Sequence, residues 1–269
     1  MELSVRGNRM FAYTGGRPFD RALPCVVFVH GAQHDHSVWI LQSRYLAHHG
    51  HGVLALDLPA HGRSSGAPLA SIEAIADWVV AVLDAAGVGE AALVGHSMGS
   101  LVALDCAARH PARVRRIALL GAAFPMRVSD ELLAATRDDE PRAQAMVNVW
   151  SHSAYAHYPS NPGPGFWVHG EDLRLMQRQR PGVMYVDFKA CNDYAAGADR
   201  AAQVACPALF ILGRRDLMTP LRAGRALAAS IKGARVVELP CGHNAMAEEP
   251  DRVLDALAEF LREPARPAT

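Results

Sequence analysis

The chain lacks an excess of either charge: lysine plus arginine and aspartate plus glutamate stand at 27 each in 269 residues. A balanced surface offers no attracting field for a polyanion, so neither nucleic acid nor an acidic membrane face is an expected partner. A disulfide framework is lacking too. The five cysteines, Cys25, Cys106, Cys191, Cys206 and Cys241, are odd in number and widely spaced, mostly within apolar stretches. They read as small buried hydrophobes of a reducing compartment, forming neither bridges nor a metal cluster. No run approaches the roughly twenty uninterrupted apolar residues of a membrane span, and the N-terminus carries no basic segment followed by an apolar run. The expected address is therefore the cytoplasm. The sequence has no Gly-x-Gly-x-x-Gly cradle, internal repeat or low-complexity tract, which argues against a dinucleotide site and against solenoid architectures.

What is present is alternation. Residues 23–30, 52–57, 91–94 and 116–120 are short and rich in Val, Leu and Ile, as strands covered on both faces should be. Between them, residues 37–49, 71–86 and 97–110 have helical period. Ser71 is placed to cap the second helix, Gly87 to end it, and Pro111 to close the third. Strand and helix in turn predict a parallel sheet with right-handed crossovers and helices on both faces. The pattern lapses over 124–204, a segment dense in Trp, Tyr, His and Met with a Pro and Gly cluster at 159–165. It resumes with a strand at 207–213, a helix at 221–231, a strand at 235–239 and a helix at 250–261. The expected organisation is a core of residues 1–123 and 205–269 interrupted by a helical cap at 124–204.

The sharpest local signal is Gly95-His96-Ser97-Met98-Gly99, a Gly-x-Ser-x-Gly pattern between a predicted strand and a predicted helix. That is the context of a nucleophile elbow, where a tight turn presents the serine and leaves no room for flanking side chains. A serine hydroxyl is a poor nucleophile until a base takes its proton, and the base needs a carboxylate to orient it. Of thirteen histidines, His243 follows the last predicted strand in Pro240-Cys241-Gly242-His243, where a loop residue can hang over the strand ends. Asp216 occupies the loop after the preceding strand. The order Ser97, Asp216, His243 distinguishes this arrangement from those of other serine hydrolase folds. Met98, directly after the serine, is placed to supply one N–H of an oxyanion hole.

Together these motifs resemble the α/β-hydrolase family from about residue 23 to 260. The resemblance rests on His30-Gly31-Ala32, on residues 57–64, on the elbow at Ser97, on Gly213 through Asp216 and on Gly242-His243. It implies an α/β-hydrolase fold and a second oxyanion donor at Ala32. In the family the acid sometimes follows the strand before the cap, but here that place reads Gly121-Ala122-Ala123-Phe124, without a carboxylate. Ala60 departs from the glycine that similar proteins often carry. Relatives that act as dehalogenases or epoxide hydrolases place an aspartate where this chain has Ser97.

The expected activity is hydrolysis of carboxylic esters or related acyl bonds of a small to medium apolar substrate through a Ser97 acyl-enzyme, with no cofactor or metal. Two alternatives keep the triad: carbon–carbon bond hydrolysis and cofactor-free perhydrolysis. A third is a ligand-binding protein on a hydrolase scaffold. His30, His61 and His96 read as loop-stabilising partners, and Asp57 as structural. His34, His36, His48, His49 and His51 lack ordered ligand spacing and read as residues of surface loops or helix ends. Cap residues Trp150, His152, Tyr155, His157, Tyr158, Phe166, Trp167, Met176, Met184, Tyr185 and Phe188 divide between packing and pocket. Arg174, Arg178 and Arg180 read as a solvated helix face.

Overall fold

The computed structural model describes residues 1–157 and 167–262. The chain opens with an antiparallel hairpin, β1 (Glu2–Val5) and β2 (Asn8–Tyr13), which the strand-and-helix pattern did not reveal. Its turn is Arg6-Gly7, both at positive φ (49° and 79°), the two-residue geometry that matches the twist of the strands it joins. Then come β3 (Cys25–Val29), α1 (Ile40–His48), β4 (Gly52–Leu56), α2 (Ile72–Ala86), β5 (Ala91–His96), α3 (Met98–Arg109) and β6 (Val114–Leu120). Among the described residues five α-helices follow: α4 (Asp130–Asp138), α5 (Glu140–Ser151), α6 (Val168–Gln177), α7 (Val183–Asp193) and α8 (Gly197–Gln203). The chain returns through β7 (Ala208–Gly213), α9 (Leu221–Ala229), β8 (Arg235–Leu239), α10 (Ala245–Glu248) and α11 (Pro250–Arg262).

The eight strands form one sheet in the order β1-β2-β4-β3-β5-β6-β7-β8, parallel from β4 to β8. Alternation of side chains along each strand sends Val27, Val29 and Leu93 to one face, where α2 and α3 pack, and Val26, Phe28 and Val94 to the other, where α1 and α11 pack. Both faces are covered, which is why these strands are apolar throughout rather than alternating with polar residues. Ser71 caps α2 by accepting the Ala74 N–H, and Gly87 ends it in a left-handed conformation at φ 68°. Four of the helices between β6 and β7, α4 to α7, share a small apolar cluster of their own, including Leu132, Val147, Met176, Met184 and Phe188, whereas Ala201 of α8 packs into the main core. Among the described residues no helix is long and apolar enough to cross a membrane.

Leu93 is fully buried at the centre of the sheet. Leu93→Ala is expected to lower the unfolding free energy by about 2–5 kcal/mol, because removal of three carbons leaves a hole that close packing cannot refill. Urea unfolding followed by circular dichroism checks this.

Candidate active site

The parallel strands end together, and the loops that follow them converge there. Ser97 joins β5 to α3 with φ 52° and ψ −117°, a conformation a non-glycine residue holds only when its surroundings enforce it. The enforcement is visible. A methyl group at Gly95 would collide with the Gly99 carbonyl, and one at Gly99 with the Val29 carbonyl, so helix and strands approach backbone to backbone. The Ser97 N–H donates to Leu120 O at 2.9 Å, tying the turn to the end of β6.

His243 lies after β8, and its ring rests against Gly121, the residue after Leu120. The imidazole Nδ1–H donates to Asp216 Oδ2 at 2.8 Å. Asp216 in turn accepts at Oδ1 from the Met218 and Thr219 amides (2.8 and 2.7 Å) and at Oδ2 from the Thr219 hydroxyl (2.6 Å). Burial by itself would raise the Asp216 carboxyl, but the adjacent His243 ring and the Thr219 donors bring it below the usual carboxylate range. A carboxylate that stays ionised and fixes one ring nitrogen leaves Nε2 as the proton acceptor. Ser97 and His243 thus meet at the same dipeptide, Leu120-Gly121. No Ser97 Oγ to His243 hydrogen bond is formed among the described residues. In ligand-free sites such bonds are commonly long and tighten when substrate arrives.

Thr219 was not singled out from the sequence, although Asp three residues before Thr is a local turn signal that could have revealed it. Glu248 is the other organiser the sequence concealed. It accepts the Gly242 N–H at 2.9 Å and also binds the backbone and hydroxyl of Ser153, joining the His243 loop to the end of α5. The Ser151 carbonyl there accepts both the His243 and Asn244 amides, at 2.8 and 3.0 Å.

Met98 begins α3, so its N–H is one of the helix donors without an intrahelical partner. Ala32 follows Gly31, whose Cα faces Ser97 Cβ and the His96 ring, and its N–H donates to no protein acceptor among the described residues. The next residue, Gln33, is fully buried at φ 58°. Its N–H donates to Asp187 Oδ2 of α7 at 2.8 Å, and its side-chain amide reaches Glu140 Oε1 at 3.0 Å and Met176 O at 3.1 Å. The loop bearing Ala32 is therefore fixed by three helices of the segment after β6.

A cavity of about 350 Å³ opens over Ser97, lined also by Ala32, Met126, Trp150, Phe188, Leu217 and Thr219. Of the aromatic and Met residues expected to divide between packing and pocket, Trp150 and Phe188 line this cavity. Met176 and Met184 are buried in the helices' own cluster, and Trp167 is exposed. Tyr158, Phe166, residues 159–165 and the side chains of Tyr155 and His157 lie outside the described residues.

The remaining histidines and arginines are more tightly engaged than the sequence suggests. His34 and His51 are buried rather than on surface loops, and His34 Nε2 is 2.7 Å from Asp172 Oδ1. Arg178 and Arg180 are exposed as expected but do not share a helix face with Arg174. Both lie beyond the end of α6, where Arg178 clamps Asp35 (2.6 and 2.8 Å) and Arg180 binds the Ser64 carbonyl at 2.9 Å. Asp35, His36 and Asp57 each offer a ligand atom within 4.8 Å of the others. Their oxygens are already engaged by Arg178, Gln179, the His36 ring and the Arg63 amide, a donor set that suits ion pairing rather than a cation. His61 bridges Pro59 O and Asp187 Oδ2, and His96 donates to the His243 carbonyl at 3.0 Å.

The profile of the alpha/beta hydrolase fold matches residues 24–250. The chain belongs to the alpha/beta hydrolase family. It is 32% identical over 255 residues to a pimeloyl-[acyl-carrier protein] methyl ester esterase of Chromobacterium violaceum, covering 88% of this chain and 94% of that protein. It is 30% identical over 203 residues to a 2-hydroxymuconate semialdehyde hydrolase of Pseudomonas putida, covering 70% and 69%. Among solved structures, the enol-lactonase of Burkholderia xenovorans superimposes with a TM-score of 0.86 at 25% identity, over 98% of this chain and 100% of that one. The chain is also 26% identical to a putative non-heme haloperoxidase of Mycobacterium phage D29, over 88% of this chain and 87% of that protein.

His30 supplies a pH test of the loop that carries Ala32. Burial pushes its pKa down to about 4, with His61 adding to the effect. The folded state therefore binds fewer protons than the unfolded state below pH ~6.5. The stability contributed by the neutral ring is complete above that pH and is lost as pH falls toward 4, about 3 kcal/mol in all. Unfolding in urea at a series of pH values is expected to show this decline, and His30→Asn to make it shallower.

Proposed function

We propose that the chain is a serine hydrolase that cleaves carboxylic esters, with Ser97 as nucleophile, His243 as general base and then acid, and Asp216 fixing the imidazole. The observation that carries this reading is the strained Ser97 backbone set against Leu120-Gly121, where the Asp216-bound His243 ring also lies. In the first half-reaction Ser97 Oγ attacks the ester carbonyl as His243 Nε2 takes its proton. The tetrahedral oxyanion is held by the N–H groups of Ala32 and Met98. Collapse expels the alcohol, protonated by His243, and leaves an acyl-enzyme that water cleaves by the same steps in reverse roles.

Residues 124–204 act in this reading as a cap over a core of residues 1–123 and 205–269. The cap supplies Trp150 and Phe188 to a mostly apolar cavity suited to a small or medium acyl chain. Four buried free cysteines, Cys25, Cys106, Cys191 and Cys241, agree with a cytoplasmic setting. The likeness to a 2-hydroxymuconate semialdehyde hydrolase favours a second reading, carbon–carbon hydrolysis by the same triad.

Ser97→Ala is expected to reduce turnover of short aryl esters by on the order of a million-fold, and Asp216→Asn by about 10⁴-fold through the wrong imidazole tautomer. A fluorophosphonate probe should label the parent at Ser97 and spare Ser97→Ala. Absence of turnover on every ester in a short-to-long panel, with labelling intact, would shift the assignment to carbon–carbon hydrolysis.

A further inference from the structure

The cavity above Ser97 has walls of Met126, Val128, Leu132, Phe188, Leu217 and Met218, and one charged side chain among its described lining, Arg127. No carboxylate among the described residues lines it. Arg127 is exposed and makes no hydrogen bond or ion pair among the described residues. The acid that feels its charge, Asp193, is already bound to the Lys189 ammonium. The backbone on either side of Arg127 is held in place: Met126 is buried, and the Val128 N–H donates to Asn192 Oδ1 at 3.2 Å. Arg127 also borders a neighbouring cleft with Asp193, but on the Ser97 side its guanidinium, exposed on a held backbone, gives the apolar cavity its one positive pole.

We propose that Arg127 selects substrates whose acyl chain carries a carboxylate on the end remote from the scissile bond. The inference rests on the ester-hydrolase reading. A guanidinium presents a planar fork of donors that matches a carboxylate in two parallel hydrogen bonds, a geometry that a solvent-facing arginine at a cavity mouth can offer. The apolar walls take the methylene chain between the two ends, and Ser97 meets the ester carbonyl. A neutral chain gains only the apolar contact. An ammonium-tipped chain is repelled.

The test compares p-nitrophenyl half-esters of glutaric and adipic acid with length-matched neutral p-nitrophenyl esters. The parent is expected to favour the half-esters by roughly ten- to a hundred-fold in kcat/KM, carried mainly by KM, the range of a hydrogen bond to a charged group. Arg127→Gln should abolish that ratio, Arg127→Glu should invert it toward ω-amino esters, and added salt should shrink it in the parent. A parent without the preference, or a preference that survives Arg127→Gln, overturns the proposal. Calorimetric titration of adipate monoamide against hexanamide into the Ser97→Ala protein, with and without Arg127→Gln, judges Arg127 independently of turnover. Loss of ester turnover in the parent with charge-dependent binding intact would count against the ester reading alone. Equal binding of the two amides would count against Arg127.

Discussion

The arrangement depends on the backbone crossing at Gly95 and Gly99. Only there can α3 come close enough to the ends of β3 and β5 for Ser97 to be turned outward in a left-handed conformation. The cost of that conformation, of order 1–3 kcal/mol for a strained residue, is offset by a sheet buried on both faces and by the Ser97 amide bonded to Leu120 O. Because Gly121 directly follows Leu120 and carries the His243 ring on its open face, the same short stretch of β6 sets the proposed nucleophile and its base in register.

Much of this was legible in one dimension. The runs at 52–57 and 91–94, the Ser71 cap and the Gly87 stop follow from local chemistry, and the structure places β4, β5 and α2 there. The elbow announces itself because its glycines answer a steric demand. Asp216 and His243 could be chosen because each follows a strand in the right order. The hairpin β1–β2 was missed because its partly exposed strands, which include Glu2 and Arg9, lack the buried apolar run that marks the parallel ones.

Contacts between distant segments left no local trace. Nothing near residue 187 indicates that Asp187 holds the Gln33 amide and the His61 ring together. Arg178 and Arg180 read as part of a helix face because helical period extended past the true end of α6. In space they fasten the residues after that helix to Asp35 and Ser64. His34 likewise read as a loop residue because its partner, Asp172, is 138 positions away.

The Ser151 carbonyl receives two amides at once, from His243 and Asn244. The end of α5 is thereby a hinge pin shared by the helices that shape the cavity and the loop that carries the imidazole. Remodelling this segment would shift the ring as well as the walls, so under the proposed mechanism selectivity and speed would change together.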